Sequence, residues 1–371
     1  MPNSTNYNSK LRADAIRPYE NPKLLPLLLL LLALAGCDGG QPAPPTPDPT
    51  LGGKLAFYET GSDGTLDLYA MNANGSSLLP LTAGLKTQGE PKWSADGNSI
   101  LFVAEPYSNT QQIYIIKLVV GAVKPVNLSN NRYDETFPSW SPDGSRIVFA
   151  SNRSGGYQVY TMKPDGSDVQ PLTLSQKYGY SAWAAWSPDG KRIAYTAGGV
   201  PEKTELYVIN TDGSNVQQLT HYNTLVARPL WSPDSSKIVF TYQKGVADQA
   251  RYNVYIINAD GSGQRALTGG DTIDRNPVWS LDGSRIAFNS NLSDNRTDEV
   301  FTINPDATGL AQLTSGGGLY PHYSPDGKYI VYAHRPDSAQ PHQLFVMNAD
   351  GNNQRQLTVD PADHSFPTWG R

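Results

Sequence analysis

Residues 140–149 read Trp-Ser-Pro-Asp-Gly-Ser-Arg-Ile-Val-Phe, an aromatic residue followed by a tight turn and a short apolar strand. Pro142 presets φ early in the turn, and Gly144 accepts the left-handed conformation that follows. Ile147 and Phe149 share one face of the strand because side chains alternate along it. Versions of this unit recur every 44 to 48 residues, and the aromatic residues that open them are Trp93, Trp140, Trp186, Trp231, Trp279, Tyr323 and Trp369.

A second hairpin motif, of the form Leu-Tyr-x-Met-Asn-x-Asp-Gly-Ser, follows in each repeat and leads to a Leu-Thr pair. The pairs are Leu81-Thr82, Leu172-Thr173, Leu219-Thr220, Leu267-Thr268, Leu313-Thr314 and Leu357-Thr358, with Leu128-Ser129 in the remaining repeat. Each repeat therefore offers four short strands and no helical segment, which is typical of propeller blades of about 40–50 residues. The sequence predicts an all-β, seven-bladed β-propeller, with six blades as the alternative if the repeat around Ile113 is degenerate.

The two ends of the repeat array carry complementary parts of one blade. The array starts at residue 53 with a strand of the second type, Lys54 to Tyr58, and ends with a strand of the first type, Phe366 to Trp369. We therefore expect the C-terminal strand to join the N-terminal three and close the ring, which removes the open sheet edges.

The first 52 residues differ in composition from the repeats. Basic residues precede a leucine-rich run that ends at Ala35, which predicts a signal peptide over residues 1–36. Residues 37–52 begin with Cys37, the only cysteine, and are rich in proline, which predicts an extended tether. Residues 34–37, Leu-Ala-Gly-Cys, resemble the lipobox of bacterial lipoproteins. The resemblance implies cleavage before Cys37, lipidation of its sulfur and anchoring to a membrane of the bacterial cell envelope, on its periplasmic or outer face.

Charge and cysteine content restrict the partners. The 371 residues carry a formal net charge of −5 at pH 7, so we expect no nucleic acid as a partner, because phosphate backbones attract clustered Lys and Arg. A single cysteine allows no intramolecular disulfide. We expect a monomer.

The repeats resemble the TolB-type (WD40-like) β-propeller repeat, which also occurs in prolyl-oligopeptidase-like proteins. The resemblance covers residues 53–371 and implies an exported propeller used for protein or peptide contacts. We expect the α/β domain that precedes the propeller of TolB itself to be missing, because residues 38–52 are too short for it. The sequence also lacks a Gly-x-Ser-x-Gly nucleophile motif, so we expect no serine peptidase activity.

The candidate binding site consists of positions whose residues differ from repeat to repeat. Residues three and one positions before each anchoring aromatic residue vary from blade to blade, and strict alternation would place both sets on the channel side of the innermost strand. Such mixed side chains in a concave site suit recognition, or they merely fill the channel. The candidate binding residues at the channel mouth are Glu90, Lys92, Phe137, Trp183, Arg228, Asn276, Tyr320, His322 and Phe366. The variable loops beside this mouth are expected to contribute.

We predict a membrane-tethered binding or scaffold propeller that recognises a protein, a peptide or an envelope polymer. Catalysis, a cofactor and a metal site are not expected, because His221, His322 and His364 are widely spaced and have no paired ligands in the sequence. One alternative is a lyase-like carbohydrate-active enzyme in which Tyr320, His322 and Arg228 act as base, metal ligand and carboxylate clamp. Another alternative is a subunit of an envelope assembly.

Overall fold

The computed structural model describes residues 51–107, 110–118, 123–173, 179–245, 250–292, 296–335 and 340–371. The regular elements are 28 strands. In chain order they are β1 (Lys54–Thr60), β2 (Leu66–Asn72), β3 (Leu79–Pro80), β4 (Lys86–Trp93), β5 (Ser99–Tyr107), β6 (Thr110–Lys117), β7 (Val126–Asn127), β8 (Glu135–Trp140), β9 (Ile147–Ser151), β10 (Gln158–Met162), β11 (Gln170–Pro171), β12 (Tyr180–Trp186), β13 (Arg192–Val200), β14 (Lys203–Asn210), β15 (Gln217–Gln218), β16 (Val226–Trp231), β17 (Lys237–Lys244), β18 (Arg251–Asn258), β19 (Arg265–Ala266), β20 (Asp274–Trp279), β21 (Ile286–Ser290), β22 (Glu299–Ile303), β23 (Ala311–Gln312), β24 (Leu319–Tyr323), β25 (Tyr329–His334), β26 (Gln343–Asn348), β27 (Arg355–Gln356) and β28 (Asp363–Gly370).

The strands form seven antiparallel sheets of four strands each, so the predicted seven-bladed, all-β propeller is confirmed and the six-bladed alternative is wrong. We number the blades by their innermost strands: blade 1 is β4–β7, blades 2 to 6 follow in chain order, and blade 7 has the order β28-β1-β2-β3. In blade 7 the last strand pairs with the first, for example through Leu55 and Trp369. The predicted closure of the ring is confirmed.

Apolar packing between neighbouring blades forms the core. Seven clusters of buried side chains occupy the seven seams between blades. In the seam between blades 1 and 2, for example, Leu101 and Ile113 pack with Phe149 and Met162, and all four are buried. Burial of apolar area at roughly 25 cal/mol per Å² makes these seams the main source of stability.

The repeated tryptophans tie one blade to the next through the backbone. The indole N–H of Trp140 donates to the Lys92 carbonyl oxygen of the preceding blade at 3.2 Å, and Trp279 does the same to Leu230 at 3.2 Å. Trp93 and Trp231 follow the pattern. Trp186 departs from it: its indole nitrogen is buried and makes no hydrogen bond to the described residues.

The turns explain why Pro-Asp-Gly recurs. Asp143 accepts hydrogen bonds from the Ser141 hydroxyl (2.6 Å) and from the backbone N–H of Ser145 (3.0 Å). The Ser141 bond is the main cause that lowers the pKa of Asp143 to about 2. Ser235 occupies the position that glycine holds in other blades, and its φ of 60° is strained for a residue with a side chain. Its hydroxyl accepts a hydrogen bond from the Asp189 N–H of the preceding blade at 3.0 Å. The turn carboxylates thus stabilise the hairpin turns through these hydrogen bonds.

The antiparallel order of each blade separates two faces. The turns after the first and third strands lie on one face, which we call the turn face. The connections after the second and fourth strands lie on the other, the loop face. The described part of the chain holds no helix with the length and hydrophobicity of a membrane span. Residues 1–50, with the predicted signal peptide, Cys37 and most of the tether, lie outside the described residues.

Candidate functional site

A β-bulge interrupts the innermost strand of every blade. In blade 2, the pairing with β9 shifts register between Thr136 and Ser139, so Phe137 and Pro138 together oppose one residue. The expected strict alternation is therefore wrong at this point. The other six blades show the same interruption. Bulges bend a strand and redirect its side chains.

The residue that opens the bulge has a left-handed backbone. Its φ lies between 49° and 55° in blades 2 to 7, at Phe137, Trp183, Arg228, Asn276, Tyr320 and Phe366. In blade 1 Gly89 takes this conformation, with φ of 76°, because that bulge is one residue longer. The left-handed conformation costs a residue with a bulky side chain about 1–2 kcal/mol. Since five residue types share one backbone geometry at these six positions, the bulge is a property of the blade and the side chain can vary.

Aromatic side chains from neighbouring blades meet in two places at the level of the bulge. The rings of Phe137 and Trp183 stack with their centroids 3.8 Å apart. The Arg228 guanidinium lies 5.2 Å from the Trp183 ring centroid, a cation–π contact. The rings of Tyr320 and Phe366 lie 4.0 Å apart at 30°. Two aromatic walls therefore line the channel.

Polar side chains occupy the arcs between these walls. Arg228 donates to the side-chain oxygen of Asn276, and Asn276 donates to Asn289 at 2.8 Å. Lys92 and Glu90 form an ion pair at 2.9 Å, and 40% and 30% of their side chains remain exposed. Both charges can therefore still meet a ligand.

Positive charges in the channel hold Glu90 ionised. Burial by itself would raise the pKa of its carboxyl group, but the positive charges of Lys92 and Arg228, with a hydrogen bond from Lys92, lower it to about 2. Burial is the main effect on His322 and lowers its pKa, so this imidazole is neutral at pH 7. Its Nδ1 lies 2.9 Å from the Tyr323 carbonyl oxygen and 3.3 Å from the Trp369 nitrogen, at the seam of blades 6 and 7.

The structure thus places all nine candidate residues on innermost strands, each partly buried. Eight of them contact one another in three groups: Phe137 with Trp183, Arg228 and Asn276; Tyr320 with Phe366; and Glu90 with Lys92. Glu90 also acts electrostatically on the ninth, His322. These contacts fill part of the channel, which agrees with the alternative interpretation that the side chains merely fill it. Ligand binding by the residues stays a prediction. Two of the variable loops that we expect beside the channel mouth, residues 174–181 and 241–251, lie partly outside the described residues.

Sequence reasoning missed buried acids at the loop-face end of the innermost strands. Glu135 is fully buried and pairs with Arg153 at 2.9 Å, while Ser151 and Asn131 each donate to the same carboxylate oxygen at 3.1 Å. Burial is the largest influence on Glu135 and raises the pKa of its carboxyl group. An acid at the start of a strand that holds no other charged residue was the available clue.

A shallow cleft of about 440 Å³ lies on the turn face, away from the channel. Lys117, Arg146 and Lys163 contribute positive charge to it. Arg146 is occupied by an ion pair with Asp168 at 2.8 Å. The cleft consists of repeated turn residues, which suits a structural role better than selective binding.

Seven blades around a channel lined by non-repeating side chains define a β-propeller with a candidate recognition site. The family model described as "TolB beta propeller domain" matches residues 106–200 and 179–371. The chain belongs to this TolB β-propeller family.

Among similar sequences, the uncharacterized peptidase YuxL of Bacillus subtilis is 25% identical over 269 residues, 70% of this chain and 32% of the relative. The chain spans about a third of the length of the curated relatives that it matches. The crystal structure of TolB from Acinetobacter baumannii has a TM-score of 0.53 at 17% identity, over 85% of this chain and 82% of that one. An oligogalacturonate lyase from Vibrio parahaemolyticus has a TM-score of 0.59 at 13% identity, over 82% and 84%. At these identities, the likeness to the solved structures concerns the fold.

Proposed function

We propose that this protein is a binding propeller, tethered to the cell envelope through Cys37, and that its central channel recognises an extended peptide segment of a partner protein. One observation carries the proposal: the seven innermost strands all contain a backbone bulge, but the residue at the bulge varies between Phe, Trp, Arg, Asn, Tyr and Gly, and only Phe occurs twice. A constant frame with variable side chains is how binding sites are built on rigid folds.

The chemistry of the channel favours a peptide over an acidic polymer. Glu90 is anionic at neutral pH, because its pKa lies at about 2, and it stands opposite the cationic Arg228 within one site. A peptide offers both charges, amides that can bond to Asn276, and side chains that stack on the Phe137–Trp183 pair. A polymer of uronic acids carries only negative charge, which Lys92 and Arg228 would attract but Glu90 would repel, so it matches the mixed charges of the channel less well than a peptide does.

The lyase alternative receives less support from the same residues. A tyrosine acting as a base must be ionised, but burial is the largest influence on Tyr320 and raises the pKa of its hydroxyl group. The phenol therefore stays protonated near pH 7, whereas proton abstraction needs a group whose pKa lies near the working pH.

A selection experiment with the full chain tests the proposal. A phage-displayed peptide library is selected on the immobilised protein, and an array of acidic and neutral oligosaccharides is probed in parallel. The affinities of the selected peptides are then measured by isothermal titration calorimetry for the wild type, for Trp183→Leu and Arg228→Gln in the channel, and for Leu281→Ser. Leu281 is 56% exposed on the turn face and provides the control.

The expected result is a peptide ligand whose affinity falls about 10-fold or more in both channel variants, since central aromatic and Arg contacts each contribute 2 kcal/mol or so. The Leu281→Ser variant should bind like the wild type. Peptides that bind all four proteins equally would show that the channel is not the site. Binding of saccharides alone, or of neither class, would refute a peptide-binding channel.

A further inference from the structure

Three potential metal ligands meet in the blade that closes the ring. Glu59 lies on β1, His364 on β28, and Asp360 in the connection that leads into β28. Glu59 and His364 face each other as cross-strand partners. His364 Nε2 lies 3.3 Å from Asp360 Oδ1 and 3.5 Å from Glu59 Oε2, and the three potential ligand atoms all lie within 4.8 Å of one another.

The imidazole is fixed in place with its Nε2 directed at the two carboxylates. His364 is only 1% exposed, and Nε2 makes no hydrogen bond of good geometry to the described residues. Nδ1 lies 2.8 Å from Thr358 Oγ1, and the ring packs edge-on against Phe57, with centroids 5.1 Å apart. Histidines that bind metals are commonly oriented in this way, through a hydrogen bond at the second ring nitrogen.

This arrangement departs from the other blades. In four other repeats the threonine of the Leu-Thr pair donates to a side chain fifteen residues earlier, as Thr220 does to Glu205 and Thr314 to Glu299, both at 2.6 Å. Thr358 instead contacts His364. The residue fifteen positions before it, Gln343, donates to the carbonyl oxygens of Asp360 and Ala362, each at 2.9 Å. The connection that carries Asp360 is thereby held beside the imidazole.

The distances and donor atoms match a small divalent cation. Zinc prefers a tetrahedral set of nitrogen and carboxylate oxygen ligands at about 2.0–2.1 Å, which places neighbouring ligand atoms about 3.3–3.4 Å apart. The two separations from Nε2, 3.3 and 3.5 Å, agree with such edges. Asp360 is 36% exposed and Glu59 22%, so an ion and a completing water can enter from solvent.

We propose that Glu59, Asp360 and His364 bind a zinc ion, which ties the C-terminal strand of the propeller to its N-terminal strand. The sequence predicts no metal site, because its histidines are far apart. The two carboxylates that complete this site, those of Glu59 and Asp360, lie near opposite ends of the repeat array. No recognisable spacing in the sequence relates them to His364. The ion would act on the one blade whose strands are not contiguous in sequence.

The test uses the full chain, stripped with a chelator, and zinc chloride alone. Calorimetry and metal analysis measure the affinity and the stoichiometry, and thermal unfolding is followed with and without zinc. The variants are Glu59→Gln and Asp360→Asn. Asp271→Asn is the matched control, since Asp271 is an acid 84% exposed in the equivalent connection of another blade.

We expect one zinc ion per chain, a rise in Tm on adding zinc to the wild type and the control, and an affinity about 10-fold lower or more in each site variant. If the site variants change Tm equally with and without zinc, the three residues form only an ion-pair network and the proposal is wrong. Absence of stoichiometric binding, or binding that both site variants leave unchanged, would also overturn it.

Discussion

Replacing Glu90 with glutamine tests whether the channel charges act as one network. The substitution keeps the shape and removes the charge that faces Lys92, Arg228 and His322. The positive charges of Lys92 and Arg228 overcome the opposing effect of burial and lower the pKa of Glu90 from 4.5 to about 2. A decrease of that size corresponds to at most about 3 kcal/mol of stability. Because 30% of the Glu90 side chain is exposed, screening by water reduces the expected contribution to about 1–2 kcal/mol.

The pH dependence of this contribution has a defined sign. A carboxyl group whose pKa is lower in the folded state stabilises the fold above its unfolded pKa, here near 4.5, and loses that effect as the pH falls towards 2. Urea unfolding at pH 7, 5, 4 and 3 should therefore show Glu90→Gln less stable than the wild type by about 1–2 kcal/mol at pH 7, with the difference falling by more than half at pH 3. Glu202→Gln, at an exposed position, is the control. A difference between Glu90→Gln and the wild type that stays constant from pH 7 to pH 3 would refute the network.

Two further pairs of variants test the frame by urea unfolding. Gly97 and Gly190 both have a left-handed backbone, with φ of 68° and 71°. A Cβ atom at Gly97 would lie 2.7 Å from the backbone oxygen of Arg371, whereas a Cβ atom at Gly190 would have no atom within 4 Å. Gly190→Ala should cost about 1 kcal/mol and Gly97→Ala clearly more, and equal costs would contradict the close contact. Trp279→Phe loses the hydrogen bond to Leu230 and should cost about 1 kcal/mol more than Trp186→Phe, because the Trp186 indole nitrogen has no hydrogen bond to the described residues that could be lost. The opposite order would mean that the indole bonds do not tie the blades together.

The sequence predicts the frame well because the frame depends on local chemistry that repeats. Pro-Asp-Gly turns, alternating apolar strands and anchoring aromatic residues each specify their own conformation, and their spacing counts the blades. The bulge escapes such reasoning. Left-handed backbone is signalled by glycine or asparagine, which occur at Gly89 and Asn276, but the same geometry holds Phe137, Trp183 and Arg228. At these positions the packing of the closed propeller overrides the backbone preference of the individual residue.

The candidate channel could be located from the sequence, whereas its contacts could not. Variation between repeats identifies the positions, because a residue that serves the frame repeats with it. Which neighbours touch depends on the closeness of adjacent innermost strands, and so the stack of Phe137 on Trp183 emerges only in the folded ring. The cluster of Glu59, Asp360 and His364 is harder to predict, because these residues come together only when the ring closes.

The way in which the blades are tied together explains how one fold can carry a variable site. The indole bonds end on backbone carbonyl oxygens of the residue one position before each anchor, such as Lys92 and Leu230, and a carbonyl accepts regardless of its side chain. The bulge likewise fixes a backbone conformation rather than a residue type. Channel residues can therefore change without loss of the bonds that hold the ring. A substitution such as Arg228→Gln should accordingly leave the indole bonds in place and cost no more than the about 1–2 kcal/mol expected for the charge network that it shares with Glu90. A much larger loss of stability would indicate that the channel side chains are a structural plug that holds the ring.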